Sequence, residues 1–340
     1  MSERIAVLTT SYPSEPGDAA GHFVHSEVKR LLSAGHEVHV FAPGSASRAS
    51  ASGEASLHLL ADQGAFGWPG ALARLKEQPA RGFGVIEFCL RAGAALRRHA
   101  PFSRVQAHFL LPCAWPLALS VDPTTPLELI GHGSDVRLFC RLPALLRTSI
   151  ARAWLARRAS VRVTSAELAD ALRVAVPEIS SALRVEASPI DVENVPARSN
   201  ARHALGVPEA QPLALIVARL IPGKRVALAL QALSLLDELS IVVVGDGPEL
   251  ASLRDRFPSA HFTGYLPRSE ALRWLAAADV LVSASAHEGA PSVVREARAL
   301  DVPVVAVAAG DLAEWAERDP GLLLVRAASR APTRASVGAE

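Results

Sequence analysis

The sequence predicts an α/β protein with two doubly wound domains, each a mostly parallel sheet covered by helices. Short runs of β-branched residues alternate with longer amphipathic stretches, which is the pattern of repeated strand–helix–strand units. A stretch at 187–211 contains several prolines, has no periodicity and separates these runs into two sets. The length of 340 residues also suits two domains, because one domain commonly takes about 100–200 residues.

The first domain is predicted at residues 1–188. A helix is expected to start near His22, and the Ser/Ala-rich stretch 44–53 is predicted to be a loop. The strands are expected at 4–10, 37–41, 104–108, 127–130 and 161–164.

The second domain is predicted at residues 189–328, followed by a disordered tail at 329–340. A helix capped by Ser292 is expected to run to about Leu300. The strands are expected at 213–218, 241–244, 261–264, 280–283 and 303–307. In two such domains, ligands bind beyond the carboxyl ends of the strands.

The composition excludes several classes of protein. Lys and Arg total 35 and Asp and Glu total 34, so neither charge-driven disorder nor nucleic-acid binding is expected. The three cysteines have no CxxC spacing, which predicts neither a zinc site nor a disulfide framework. The amino terminus lacks a signal-peptide core and no apolar run has the length of a membrane span. We therefore expect a cytoplasmic protein.

The segment after the predicted strand 280–283 is the strongest candidate for a site. Glu288 lies on the strand-end loop and Glu296 about one turn into the next helix, so both can face one crevice. The small residues Gly289 and Ala290 let backbone amides approach an anion, and a helix that begins at Ser292 favours a diphosphate at its amino end. The spacing alone is weak, because a solvated helix face would also explain the second glutamate.

Arg219 and Lys224 follow the predicted strand 213–218. An arginine fork and a lysine point charge beside a strand end suit a diphosphate whose charge grows as a bond breaks. Only Lys29, Lys76 and Lys224 are lysines, so this position is conspicuous. Solvated surface charges are the alternative interpretation.

His132 and Asp135 lie in G-H-G-S-D, directly after the predicted strand 127–130. The flanking glycines let a substrate approach the backbone. The alternative is a buried, hydrogen-bonded histidine with Asp135 as a helix cap or loop-positioning residue. The spacings His22/His25 and His36/His39 resemble metal pairs, but no third ligand is near in sequence and no metal is expected.

An arginine-rich stretch at 137–162 contains seven arginines interleaved with apolar residues. This pattern suits peripheral contact with the inner, anionic face of a membrane. The alternative is a core helix with solvated arginines. No Walker A motif and no G-x-S-x-G elbow occurs, which argues against an NTPase or a hydrolase.

Several motifs occur together in one order along the chain. They are R-I-A-V-L-T-T-S-Y-P at 4–13 with Gly21, G-H-E-V-H-V-F-A-P at 35–43, G-H-G-S-D at 131–135, V-A-R-L-I-P-G-K at 217–224, V-V-V-G-D-G-P-E at 242–249 and E-G-A-P-S-V-V-R-E-A at 288–297. In these motifs the chain resembles the family-4 retaining glycosyltransferases over roughly residues 1–325. The resemblance implies the GT-B fold, in which two Rossmann-like domains face a central cleft.

The resemblance also implies an activity. Such enzymes move a sugar from a nucleotide-diphosphate sugar to an acceptor hydroxyl on a glycan, a lipid-linked carrier or a small molecule, without a metal or other cofactor. The first domain would be the acceptor side and the second the donor side.

The resemblance further assigns roles to the matching residues. Glu288 would contact the sugar hydroxyls and Glu296 the ribose, while Arg219 and Lys224 would stabilise the leaving diphosphate. His132 would lie against the donor sugar. The amide of Gly21 would approach the donor phosphate or the acceptor, and Gly289, Ala290 and Ser292 complete the expected donor-binding set.

The chain departs from the family in three places. Asp301 stands where a glycine is common, and Ser-Pro-Ile-Asp at 188–191 replaces the usual hinge sequence. The chain ends soon after residue 325, where relatives continue through helices that return to the first domain. We therefore expect a homo-oligomer or a partner-assisted enzyme. A non-catalytic glycosyltransferase-like subunit remains the alternative, and a nucleotide-sugar epimerase is a third interpretation.

Overall fold

The computed structural model describes residues 2–13, 18, 20–44, 54–67 and 70–326. The predicted tail at 329–340 and most of the predicted loop at 44–53 lie outside these residues. Within them, no helix has both the length and the apolar character needed to cross a bilayer.

The first domain is built on a seven-stranded parallel sheet. Its strands are β1 (Arg4–Leu8), β2 (Glu37–Pro43), β3 (Ser56–Leu60), β4 (Arg104–His108), β5 (Leu127–Gly131), β6 (Ser160–Val163) and β7 (Leu183–Val185), in the spatial order β3-β2-β1-β4-β5-β6-β7. Its helices are α1 (His22–Ser33), α2 (Ala71–Glu77), α3 (Gly82–His99), α4 (Ser134–Cys140), α5 (Ala144–Ala156) and α6 (Ala166–Ala175).

The second domain is built on a six-stranded parallel sheet. Its helices are α7 (Arg198–Leu205), α8 (Val226–Leu233), α9 (Leu250–Arg256), α10 (Arg268–Ala277), α11 (Ser292–Ala299) and α12 (Leu312–Arg318). Its strands are β8 (Leu213–Val217), β9 (Ser240–Val244), β10 (His261–Gly264), β11 (Val280–Ser283), β12 (Val304–Val307) and β13 (Leu322–Val325), in the spatial order β10-β9-β8-β11-β12-β13.

Both sheets are covered on two faces, which explains why their central strands are apolar throughout. In β1, Ile5 and Val7 join a cluster with α1, whereas Ala6 and Leu8 join a larger cluster on the other face with Phe88 of α3. Successive side chains of a strand point to opposite faces, so both sets must be apolar. The predicted fold class, two doubly wound α/β domains, is confirmed.

The elements missed by the sequence analysis lie mostly at sheet edges. Within the described residues, strands β3, β7 and β13 lie at sheet edges, where one side has no partner strand and apolar patterning is weaker. Helix α7 lies inside the stretch that was predicted to lack periodicity. Its buried face carries Arg202, which donates to the carbonyls of Ala277, Pro208, Glu209 and Gln211 and pairs with Asp279 at 2.6 Å.

Two local predictions need correction or comment. Pro291 occupies the N-cap position of α11 and Ser292 is its first residue, so the prediction of a serine cap was wrong. Asp301, where a glycine was expected, takes φ 58°, a left-handed conformation that glycine adopts at lower cost. The predicted boundary at 188/189 lies between β7 and α7.

Candidate active site

Lys224 and Glu288 meet beyond the carboxyl ends of two neighbouring strands. Strands β8 and β11 are hydrogen-bonded partners, so the loops that follow them lie side by side. Lys224 ends a short 3-10 helix at Pro222–Lys224, and its Nζ lies 2.5 Å from Glu288 Oε1. The two side chains are 21% and 13% exposed, so the ion pair is largely but not completely shielded from water.

Arg225 holds the same two loops together. Its Nε donates to the carbonyl of Ala284 at 2.6 Å and its Nη2 to the carbonyl of Ser285 at 2.9 Å. The amide of Ala286 donates to the carbonyl of Gly223 at 2.9 Å. These bonds fix the Lys224 turn against the loop that carries Glu288. The sequence analysis missed Arg225, although it is the direct neighbour of Lys224.

Arg219 lies on the same side of the sheet and reaches towards the first domain. A Cβ built on Gly70 would lie 3.1 Å from Arg219 Nη1. Desolvation lowers the pKa of Arg219, and the charge of Glu288 opposes that shift. The guanidinium remains a cation at neutral pH, because arginine starts from a pKa above 12.

Glu296 is buried on α11 and paired, so the interpretation as a solvated helix face was wrong. The residue is 5% exposed, and its Oε1 lies 2.8 Å from Arg268 Nη1. His22 Nε2, on α1 of the first domain, lies 3.8 Å from the same oxygen. Arg268 was also missed, because only the folded chain brings the start of α10 beside α11.

The loop between β11 and α11 touches the first domain through Gly289. A Cβ at this position would lie 3.1 Å from Thr164 Oγ1 and 3.5 Å from the backbone oxygen of His132. Arg137 of α4 donates to the carbonyl of Glu288 at 3.2 Å. Ala290 and Ser292 follow at the amino end of α11 and are half-buried. The site therefore has walls from both domains.

His132 is held in a neutral form. Its Nε2 lies 3.0 Å from Nδ1 of His108, and the two rings are stacked with centroids 5.2 Å apart. Desolvation, with smaller contributions from His108 and Arg162, holds the pKa of His132 well below its ordinary value. Its partner behaves likewise, because desolvation and the charge of Arg162 lower the pKa of His108 to about 3.

Asp135 positions the His132 loop. One carboxylate oxygen accepts from the amides of His132 and Gly133 at 3.0 Å each, and the other accepts from the amide of Leu110 at 2.8 Å. Burial raises the pKa of Asp135, while these amide hydrogen bonds oppose the shift. These three amide bonds support the interpretation of Asp135 as a residue that positions the loop.

Gly21 precedes α1 at a point where only glycine fits. It has φ 67°, and a Cβ there would lie 2.3 Å from the carbonyl oxygen of Ser11 in the loop after β1. Its own carbonyl accepts from the amides of Val24 and His25. The backbone at the start of α1 thus packs directly on the strand-end loop, near His22 and Glu296.

At least three of the seven arginines in the arginine-rich stretch bind other parts of the protein. Arg162 is 1% exposed and pairs with Glu27 and Glu186 at 3.2 and 3.1 Å. Arg147 donates to three backbone carbonyls that include that of Ala175 at 2.8 Å, and Arg157 donates to carbonyls of residues 121–125. These arginines are structural, so fewer of the seven face solvent than the membrane interpretation assumed.

Comparisons with known proteins agree with this architecture. A family model described as "Glycosyl transferases group 1" matches residues 211–335. The chain is 31% identical over 229 residues to the putative teichuronic acid biosynthesis glycosyltransferase TuaC of Bacillus subtilis, covering 65% of this chain and 57% of that protein. It is 32% identical over 257 residues to 2-deoxystreptamine glucosyltransferase of Streptomyces kanamyceticus, covering 64% and 63%. The chain thus spans about three fifths of the length of these relatives.

Solved structures show the same fold at low sequence identity. Sucrose-phosphate synthase from Thermosynechococcus elongatus superposes with a TM-score of 0.75 at 20% identity, covering 97% of this chain and 87% of that one. WaaG, a glycosyltransferase involved in lipopolysaccharide biosynthesis, gives 0.63 at 16%, covering 95% and 86%. Anabaena HepE in complex with UDP gives 0.60 at 18%, covering 95% and 85%. The chain therefore has the GT-B fold.

Proposed function

We propose that this protein is a glycosyltransferase that moves a sugar from a nucleotide-diphosphate sugar to an acceptor hydroxyl. The observation that carries the proposal is the Lys224–Glu288 pair, with Arg219 nearby, at the strand ends of the donor-side domain. Glu288 lies in the loop after β11, and the next residue of that loop, Gly289, contacts the His132 loop of the opposite domain. The site combines cations for a diphosphate with a carboxylate for sugar hydroxyls.

The relatives support the substrate class. The second domain matches the group 1 glycosyl transferase model, and the similar proteins include a glucosyltransferase and a putative teichuronic acid biosynthesis glycosyltransferase. The structure of HepE has also been determined with UDP-glucose. These likenesses favour a nucleotide sugar as donor.

The donor diphosphate would bind between Arg219, Lys224 and the amino end of α11. Two cations and a helix amino terminus stabilise the negative charge that grows on the diphosphate as the glycosidic bond breaks. Because a carboxylate has about four lone-pair sites, Glu288 can keep Lys224 and still accept from sugar hydroxyls. Glu296 would bind the ribose diol while Arg268 holds it in place.

We propose that transfer retains the anomeric configuration through front-side displacement, which rests on the family-4 resemblance. An oxygen of the departing diphosphate would take the proton of the incoming hydroxyl. His132 suits this scheme as a neutral group that shapes the sugar site, because its lowered pKa makes it a weak base. We also propose that the cleft works without a metal, since Arg219 and Lys224 supply the positive charge.

The test has two stages. A thermal-shift screen of the full chain against UDP-, GDP-, ADP- and TDP-sugars identifies the donor, because a ligand that binds only the folded state raises the Tm. The selected donor is then incubated with parent, Lys224→Ala and Lys76→Ala protein. We expect release of nucleoside diphosphate from the parent and from Lys76→Ala, an exposed lysine of α2, and a large loss from Lys224→Ala.

Other outcomes identify the other interpretations. Donor binding without nucleoside diphosphate release, even with pooled acceptor glycans, supports a non-catalytic subunit. Conversion of the sugar nucleotide to an epimer that NMR detects supports an epimerase. A rate that the chelator EDTA abolishes while the chain stays folded would contradict metal independence of the cleft.

A further inference from the structure

Three histidines outside the cleft come together although they are far apart in sequence. His39 lies on β2, His58 on the neighbouring edge strand β3, and His99 is the last residue of α3. One ring nitrogen from each lies within 4.8 Å of the others. His39 lies in the first half of β2 and His99 ends the helix that precedes β4, so this histidine triad is not at the carboxyl strand ends that carry the candidate active site.

We propose that the histidine triad binds one Zn²⁺ ion. Nδ1 of His39 and Nε2 of His58 are 3.1 Å apart. Two nitrogens bound to one tetrahedral zinc at about 2.1 Å each are separated by about 3.4 Å. The spacing of this pair therefore needs to change by only a few tenths of an ångström, and the ring of His99 completes a three-imidazole face.

Glu37 fixes the ring of His39 in the orientation that metal binding needs. Its Oε1 lies 2.7 Å from His39 Nε2. A carboxylate at this nitrogen holds the proton there, so Nδ1 keeps its lone pair and points it at His58. The arrangement of carboxylate, histidine and metal is the usual way a protein orients a zinc-ligating imidazole.

The charged and aromatic groups around the triad are compatible with a dication. Arg4 contacts the cluster, but its Nε donates to Glu37 Oε1 at 3.0 Å, so its charge is paired. Phe41 stacks on His58 with centroids 4.6 Å apart, and Phe102 packs edge-on against His39 at 5.6 Å. The rings shield two sides of the triad from water, and a water molecule would complete four-coordination.

Zinc at this place would tie an edge strand to its sheet and to a helix. In the described part of the chain β3 pairs with β2 alone, so its outer side is open to fraying. A bond from His58 to the metal, shared with His39 and the end of α3, would hold β3 in register. The ion is therefore structural and separate from sugar transfer.

The test is isothermal titration of the untagged full chain with Zn²⁺ alone, followed by Co²⁺ for its visible spectrum. We expect one equivalent of zinc, a tetrahedral cobalt spectrum and a Tm that rises with zinc concentration. The double variant His58→Ala/His99→Ala should lose binding by at least about 100-fold. Glu37→Gln should weaken it by about 10- to 100-fold, the usual loss for an outer carboxylate.

A matched control removes a histidine elsewhere. His203→Ala, an exposed position on α7, should bind zinc like the parent. Circular dichroism checks that each variant is folded. If the double variant does not fold, the zinc affinity of Glu37→Gln still tests the proposal. Less than one equivalent bound by the parent, or parent-like affinity in both the double variant and Glu37→Gln, would overturn the proposal.

Discussion

Removing the Lys224 ammonium tests the candidate active site most directly. In Lys224→Ala, Glu288 loses the cation 2.5 Å from its Oε1, and a donor diphosphate loses one preorganised positive charge. Loss of one such group at a developing negative charge costs about 10²- to 10³-fold in kcat. We therefore expect a fall of at least about 100-fold, with a smaller change in the donor KM.

The structure separates this effect from a loss of stability. Lys224 is 21% exposed and Glu288 13%, so water can reach Glu288 in part, and removing its partner should cost about 1–3 kcal/mol of unfolding free energy. A chain that still melts near the parental Tm but turns over about 100-fold slower has lost a group that acts in the transition state.

The assay measures nucleoside diphosphate release under donor saturation, with Lys76→Ala as the matched lysine control. Lys224→Arg should recover part of the rate, because it restores a cation but not its geometry. A kcat for Lys224→Ala within threefold of the parent, at full folding, would refute the assignment of this residue to the leaving group.

Three further predictions follow from the site. Glu296→Gln should weaken binding of the free nucleoside diphosphate about tenfold or more, the scale of a lost charge-assisted hydrogen bond. Glu288→Gln should mainly weaken binding of the sugar nucleotide. Calorimetry measures both affinities, with Glu317→Gln as an exposed control. Arg225→Lys should lower kcat by about 10- to 100-fold because the two loops are misplaced, while the affinity for nucleoside diphosphate stays near the parental value. An equal loss of kcat and of nucleoside diphosphate affinity would contradict a positioning role for Arg225. His108 has a pKa near 6.5 in the unfolded chain and about 3 in the folded chain, so only the unfolded chain binds this proton between these pH values. His108 should therefore lower the unfolding free energy as pH falls below 6.5, by about 1.4 kcal/mol between pH 7.5 and 5.5. Urea unfolding of His108→Gln should show a shallower pH dependence than that of the parent.

The strands and motif residues were predictable because their causes are local. The core of β1 is apolar on both faces, and a strand buried in this way is recognisable without knowing its neighbours. Glu288 and Lys224 were found because each follows such a strand, and carboxyl ends of neighbouring parallel strands must share one edge. Predicting the order of the strands therefore also predicted that these two residues lie close together.

The missed residues depend on contacts between distant parts of the chain. Arg268 is 28 positions before Glu296 in sequence, and Arg225 acts on carbonyls 59 and 60 positions away. The rejection of metal binding considered only sequence neighbours, whereas His39 approaches His58 and His99 through strand pairing and the end of a helix. No local sequence pattern indicates that these three histidines come together.

Polar contacts join the two domains in the described residues. Asp311 accepts from the amides of Ala166 and Glu167 at the start of α6, and Lys29 of α1 pairs with Asp191 at 2.5 Å. A hydrogen bond to a charged group contributes about 1.5–3 kcal/mol net, so we expect these contacts to break and re-form as substrates enter and leave.

Arg268 contacts both the predicted hinge segment at 188–191 and the proposed donor site. Arg268 donates from Nη2 to the carbonyl of Asp191 at 2.8 Å, while its Nη1 lies 2.8 Å from Glu296. The same guanidinium thus touches the hinge segment and the proposed ribose-binding carboxylate. If Glu296 binds the donor ribose as proposed, the ribose hydroxyls would share this carboxylate with Arg268. We therefore expect donor recognition and closure of the cleft to be coupled through the Arg268 side chain.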